Sequence, residues 1–251
     1  MAKQERGFWI WFAAAVLHPV CWLFARRVNR GVHNIPSEGG GLLVMNHVSH
    51  IDPIYDGVFV HRLHRLPHFL AKNTLWKGWF LSHVMDGCGQ IPVYRSSAGA
   101  QDSLRDANQA LRDGKIVVIY PEGTITRDPD GWPMKSRTGV ARLALNNDIP
   151  VIPAARWGTL AMVDFYRKKF HLFPRGKVTT VVGEPIDLSA YRGRPITPGL
   201  LHEVTELIMH RVAELVGEIR GETPPPELYQ WNRKADSMAS DTATRPAASE
   251  S

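Results

Sequence analysis

"LLVMNHVSHIDP", residues 42–53, passes from an apolar run into a polar cluster and then into a proline. The run 42–45 is short, apolar and preceded by Gly39, Gly40 and Gly41, the pattern of a buried strand bounded by a turn. Pro53 suits the first turn of a helix extending to about His64, with Asp52 in the N-cap position. A strand feeding directly into a helix is half of an α/β unit, and it leaves His47, Ser49, His50 and Asp52 at the strand's carboxyl end.

Outward from there, "HFLAK" (68–72), "QIPVY" (90–94), "KIVVIYPEG" (115–123), "IPVIPAA" (149–155) and "KVTTVVG" (177–183) read as further strands. Helices are expected around Trp76 to Val84, over 100–113 with Gly114 as C-cap, and from Thr138 to Asn146. A long amphipathic helix is predicted by Leu200, Leu201, Val204, Leu207, Ile208, Val212, Leu215, Val216 and Ile219 at three- and four-residue intervals. Strands alternating with helices predict an α/β fold, with a mostly parallel central sheet flanked by helices.

The 251 residues, 44% of them hydrophobic, can bury one sizeable core. The expected organisation is an N-terminal helical segment over 1–30, an α/β domain over 31–222, and a disordered tail over 223–251, where Pro, Ser, Ala and Thr rise and periodicity ends. A formal net charge of +6 suggests a negatively charged partner, whether nucleic acid, an anionic membrane or a phosphorylated substrate. Cys21 and Cys88 are too few for a disulfide framework or a zinc site, which makes a reducing compartment the default.

"FWIWFAAAVLHPVCWLF", residues 8–24, is almost continuously apolar between Lys3 and Arg6 on one side and Arg26 and Arg27 on the other. It lacks a small-x-small cleavage pattern, His18-Pro19 interrupts it, and a spanning helix wants about 20 apolar residues. One or two helices lying in a membrane interface are expected, the alternative being a helix packed on the protein's own core.

His47 and Asp52 are five positions apart, off one face of a regular helix, so contact between them requires the strand-to-helix turn expected there. A carboxylate on one imidazole nitrogen orients the ring and raises the basicity of the other nitrogen, which suits a general base. The bland alternative is that Asp52 caps the helix, Ser49 or Asn46 satisfies nearby amides, and the histidines are bystanders. A metal reading of His47, His50 and Asp52 lacks a further ligand cluster. "YPEGTITRD" follows the clearest strand, and its turn would present backbone N–H groups, Thr124 and Arg127 at the sheet's carboxyl edge, although taken alone it reads as an ordinary strand-to-loop turn with a glycine for positive φ. Arg95 and Lys72 are candidate phosphate ligands, although each taken alone reads rather as a solvated surface charge. No dinucleotide fingerprint, nucleophile elbow or P-loop is present. The basic and aromatic stretch "DFYRKKFHLFPRGK", 164–177, fits a membrane interface or nucleic acid by composition, and the apolar N-terminus favours the membrane; the competing reading is a solvated loop whose aromatics fold back on the core.

Taken in order, four stretches resemble the 1-acylglycerol-3-phosphate acyltransferase family, within the glycerolipid acyltransferases: "NHVSHID" its H-x-x-x-x-D block, "GQIPVYR" its second, "YPEGT" its third and "IPVIPAA" its fourth. The resemblance spans roughly residues 40 to 160 and implies a glycerol-phosphate acyltransferase-like α/β fold with an N-terminal membrane-associating helical part. It implies His47 as general base, Asp52 as its orienting carboxylate, and Arg95, Glu122, Gly123 and Thr124 as ligands of a phosphate-bearing acceptor, with Lys72 and Arg127 as further candidates. One position departs from the family: Ile125 stands where an arginine is expected after Glu-Gly-Thr, and Arg127 follows two positions on. The implied reaction moves an acyl chain from acyl-CoA or acyl carrier protein, as co-substrate and without a cofactor or metal, to the sn-2 hydroxyl of lysophosphatidate. Another lysophospholipid or glycolipid acceptor, and a non-catalytic lipid-binding protein, are the alternatives. The expected setting is the cytoplasmic face of the cell membrane, with an anionic lipid surface rather than nucleic acid as partner.

Overall fold

The computed structural model describes residues 7–94, 97–164, 169–171, 173 and 175–231. In chain order it contains α1 (Phe8–Phe24), β1 (Ala25–Arg30), β2 (Gly41–Met45), α2 (Asp52–Arg62), β3 (Pro67–Lys72), α3 (Trp79–Gly87), β4 (Ile91–Val93), α4 (Ser97–Arg112), β5 (Ile116–Ile119), α5 (Gly139–Leu145), β6 (Val151–Trp157), α6 (Thr159–Met162), β7 (Val163–Asp164), β8 (Lys169–Phe170), β9 (Gly176–Val182) and α7 (Pro198–Arg220). Seven strands form one sheet in the order β1-β9-β6-β2-β5-β3-β4, and β7 and β8 form a separate small ladder. Within the large sheet only β6 and β9 run antiparallel, so the expected mostly parallel sheet is what the chain forms.

Strict alternation sends side chains of the central strands to two apolar layers. On one face Leu42, Val44, Val117 and Ile119 pack with Ala107 and Leu111 of α4, Val140 and Leu143 of α5, and Leu201, Val204 and Ile208 of α7. On the other face Leu43, Met45, Val118, Ile152 and Ala154 meet Phe59 and Val60 of α2. Cover on both faces explains why these strands read as continuous apolar runs in sequence rather than as an apolar/polar alternation. Each fully buried Leu, Ile or Val contributes roughly 1.5–3 kcal/mol relative to exposure.

The long helix α7 is delimited by its own sequence. Thr197 accepts the Leu200 N–H at 3.2 Å, Pro198 occupies the first turn, and Gly221 ends the helix at φ 70°. Its buried stripe runs from Leu200 through Val216, as the spacing predicts.

Two stretches differ from the sequence expectation. Residues 25–30 are an edge strand paired in parallel with β9 from Ala25↔Gly176 to Arg30↔Val181, so the helical N-terminal segment ends at Phe24. Ordered packing also continues past Glu222: Leu228 is buried beside Met209 and Ala213, and the Lys135 N–H donates to the Tyr229 carbonyl at 2.9 Å.

The N-terminal helix lies on α2 and α3. A Cβ on Gly87 would sit 2.3 Å from the Trp9 ring, so the absence of a side chain there lets α1 approach α3. Trp9 and Phe12 pack edge-on against Phe80 at 5.7 and 5.8 Å. Cys21 and Ala25 are buried, whereas Phe8, Trp11, Val16, Val20, Trp22 and Leu23 face outward at helical spacing. No helix among the described residues is long and apolar enough to cross a membrane.

Candidate active site

Because β2, β5, β3 and β4 are parallel neighbours, their carboxyl ends share one edge of the sheet. His47 follows β2, Glu122 and Gly123 follow β5, and Lys72 ends β3 in register with Val93 of β4. Open α/β sheets bind ligands at such an edge.

The turn after β2 closes with the Asp52 N–H donating to the Ser49 carbonyl at 3.0 Å. This brings His47 Nδ1 to 2.9 Å from Asp52 Oδ2, the contact the spacing required. The same carboxylate oxygen accepts the N–H groups of Val48 and Ser49 at 2.7 Å each, and Oδ1 accepts the Thr159 hydroxyl. Asp52 is fully buried, while the His47 side chain keeps 15% exposure. Asp52 therefore orients the histidine and also anchors two backbone amides, but it does not cap the helix. It is the first residue of α2 rather than its N-cap, and the amides it satisfies belong to the turn before the helix. With Nδ1 turned to the carboxylate as donor, Nε2 is the lone-pair nitrogen.

The loop after β5 holds the histidine's backbone from both sides. The His47 N–H donates to Glu122 Oε1 at 3.0 Å, and the Thr126 N–H donates to the His47 carbonyl at 2.8 Å. Glu122 Oε2 accepts the Met134 N–H at 3.0 Å. Both Glu122 oxygens thus accept from the backbone, so Glu122 supports the loops of the site. Burial pushes its carboxyl up to about 8, against the pull of the two backbone donors. Gly123 adopts φ 68° and returns its N–H to the Tyr120 carbonyl at 2.9 Å, closing the turn with open space beside its Cα.

Thr124 is half-buried at this edge and Lys72 is exposed. Ile125, at 5% exposure, faces the interior, where a guanidinium could not sit without a buried partner. Arg127 lies over the Trp231 ring at 5.3 Å, and its backbone N–H points at the Met134 sulfur at 3.0 Å. Arg95 lies outside the described residues. Partial desolvation of its ring lowers the His50 imidazole pKa, with the charges of His47 and Arg127 adding to the effect and Asp52 opposing it.

Beneath His47 is a buried tier that sequence reasoning missed. The Tyr120 ring lies flat against the imidazole, centroids 4.4 Å apart and planes 18° apart, and its hydroxyl donates to Asp56 Oδ2 at 2.5 Å. Asp56 Oδ1 is paired with the Arg156 guanidinium, and both residues are almost fully enclosed. Burial raises Asp56, opposed by Arg156 and by the tyrosine hydroxyl. Asn46 completes the frame by pairing both its amide groups with the Arg156 backbone, at 2.8 and 3.0 Å. Two signals for this tier were available: Asp56 is one helical turn beyond Asp52, and Arg156 interrupts an otherwise apolar strand.

Of the basic and aromatic stretch 164–177, residues 165–168, 172 and 174 lie outside the described residues. Arg175 binds the end of α1, donating to the Trp22 carbonyl and, at 3.1 Å, to the Ala25 carbonyl, with its guanidinium over the Trp22 ring. Among the described residues no group of three or more His, Cys, Asp or Glu is arranged to hold a metal ion.

Residues 25–157 match the family model described as Acyltransferase. The chain is 27% identical over 189 residues to a 1-acyl-sn-glycerol-3-phosphate acyltransferase of Bacillus subtilis (strain 168), covering 74% of this chain and 86% of that one. It is 25% identical over 208 residues to an N-acylphosphatidylethanolamine synthase of Arabidopsis thaliana, covering 75% and 71%. Its fold superposes on the crystal structure of a 1-acyl-sn-glycerophosphate acyltransferase from Thermotoga maritima with TM-score 0.65 and 25% identity, covering 86% of this chain and 81% of that one. A buried carboxylate–histidine pair at the carboxyl edge of this sheet, on a chain with these likenesses, identifies the protein as a member of the acyltransferase family, of the 1-acylglycerol-3-phosphate O-acyltransferase type.

Proposed function

We propose that the protein transfers an acyl chain from a thioester, acyl-CoA or acyl carrier protein, to the sn-2 hydroxyl of 1-acylglycerol-3-phosphate, forming phosphatidate. The observation that carries this reading is the 2.9 Å contact between His47 Nδ1 and the buried Asp52, which leaves Nε2 as the base. Nε2 takes the hydroxyl proton as the acceptor oxygen attacks the thioester carbonyl; the new C–O ester bond forms, the C–S bond breaks, and the proton passes to the departing thiolate. No covalent acyl-enzyme is needed. The N–H groups of Thr124 and Ile125 form no hydrogen bond with the described residues, and they are the donors we assign to the developing oxyanion. Lys72, Arg95 and Arg127 are assigned to the acceptor phosphate, where holding the substrate turns an encounter into a near-unimolecular step.

We also assign the outward stripe of α1, together with Trp79, Phe80 and Leu81 of α3, to an anionic membrane surface. These exposed apolar side chains are adjacent through the packing of Trp9 and Phe12 on Phe80. Docking there would set the sheet edge beside lipid-dissolved substrate at the cytoplasmic face of the cell membrane.

Thiol release from palmitoyl-CoA and oleoyl-CoA, measured with and without lysophosphatidate alongside mass analysis of the lipid product, tests the reading. Lysophosphatidate-dependent release with phosphatidate formed supports it, and thiol release that lysophosphatidate does not stimulate refutes it. The inward-facing Ile125 favours one second reading, a different lysophospholipid or glycolipid acceptor, which a panel of acceptors against one donor distinguishes.

A further inference from the structure

The chain beyond α7 reaches back to the catalytic edge. Leu228 is buried against Met209 and Ala213 of α7, which anchors the segment. Tyr229 then bridges to Met134, and its carbonyl accepts the Lys135 N–H at 2.9 Å. Two residues later the Trp231 ring lies 5.3 Å beneath the Arg127 guanidinium.

Two of these contacts, on Met134 and Arg127, fall on residues joined to His47 through one intermediate residue. Met134 donates its N–H to Glu122, which accepts from His47, and its sulfur receives the Arg127 N–H. Thr126, the neighbour of Arg127, donates its N–H to the His47 carbonyl. Arg127 is thus the first cation after the turn at Gly123, since Ile125 faces the interior, and its position along that loop is coupled to the catalytic histidine. Its charge also reaches His50, three residues from His47.

We propose that the segment Pro226–Trp231 is part of the acceptor site, with Trp231 acting as a positioning residue that holds the Arg127 guanidinium where it receives the phosphate of the acyl acceptor. An arginine side chain is long and flexible, and an indole face limits the guanidinium to a plane whose edge has the fork geometry of a bidentate anion. The inference rests on the acceptor reading above and adds a source of acceptor affinity that lies outside the matched family region, which ends at residue 157.

Steady-state kinetics of the full chain with palmitoyl-CoA and lysophosphatidate test it. Arg127→Ala and Trp231→Ala should each raise KM for lysophosphatidate by about tenfold, the range of a cation–π contact or a lost phosphate ligand, with the KM for palmitoyl-CoA and kcat changing much less. Trp231→Phe should recover most of the loss. The double variant should be no worse than Arg127→Ala alone, because both changes remove one interaction. An unchanged acceptor KM in Trp231→Ala, or additive losses in the double variant, would overturn the proposal. If the unmodified chain releases thiol without regard to lysophosphatidate, the acceptor reading falls and this inference with it; a normal unmodified chain with an insensitive Trp231→Ala variant removes the positioning role alone.

Discussion

The His47 N–H donates to Glu122 Oε1 at 3.0 Å, so the glutamate of the Pro-Glu-Gly-Thr turn acts on the backbone of His47. It holds the turn after β2 and the turn after β5 together, and through Oε2 it also fixes Met134.

Burial raises the Glu122 carboxyl from its ordinary 4.5 to about 8. A group whose folded pKa is raised contributes stability that is complete below the unfolded pKa and is lost as pH rises through the folded value. Thermal stability should therefore decline as pH rises from about 4.5 to about 8, and Glu122→Gln should flatten that decline. Melting curves of both proteins across this range would count against the assignment if their slopes are equal.

Tyr120 provides a flat face for the imidazole and a hydroxyl for Asp56, and the two roles are separable. Tyr120→Phe keeps the ring but leaves one buried Asp56 oxygen without its donor, with an expected cost of roughly 1–3 kcal/mol in chemical denaturation. Its kcat should remain within a few-fold of the unmodified enzyme. Tyr120→Leu removes the platform, and a slightly misplaced base can cost on the order of 10²-fold in kcat. Equal kcat for the two variants would mean that the stacking does not position His47.

The N-terminal helix is tied to α2 by His18 Nε2 and His61 Nδ1 at 3.0 Å. Burial lowers both imidazoles, helped at His18 by His61, Arg27 and Arg62 and at His61 by His64. A lowered histidine favours the neutral form in the folded state, so its stabilisation is present above the unfolded pKa near 6.5 and is lost as pH falls below it. Protonating both rings would set two donors against each other. Amide exchange in α1 should therefore accelerate from pH 7 to pH 5 relative to α7, after correction for intrinsic rates; unchanged relative protection would contradict this.

The fold was legible where its physics is local. Short apolar runs bounded by glycines and prolines marked β2, β3, β5, β6 and β9, and the Thr197, Pro198 and Gly221 signals delimit α7. The strand β1 was not legible because "ARRVNR" has no apolar alternation; it joins the sheet edge through its backbone, with Ala25 alone fully buried. The segment after α7 reads as tail by composition, yet one leucine and one backbone bridge suffice to seat it. At the site, His47 and Asp52 were readable because five positions and a turn bring them together. The orientation of Glu122 was not, since the residue type alone cannot say whether a carboxylate faces substrate or backbone. Asp56, Tyr120 and Arg156 meet across 64 and 100 positions of chain, a distance that single-sequence patterning does not bridge.

The central claim is that the imidazole of His47, oriented by Asp52, deprotonates the acceptor hydroxyl. The most direct measurement is lysophosphatidate-dependent thiol release from palmitoyl-CoA by the unmodified chain, His47→Ala and Asp52→Asn, with circular dichroism and vesicle binding followed in parallel. Loss of a positioned general base should lower kcat by roughly 10²–10⁴-fold in His47→Ala, with fold and vesicle binding retained, and Asp52→Asn should fall in the same direction. Substantial lysophosphatidate-dependent turnover by a folded His47→Ala protein would contradict the account.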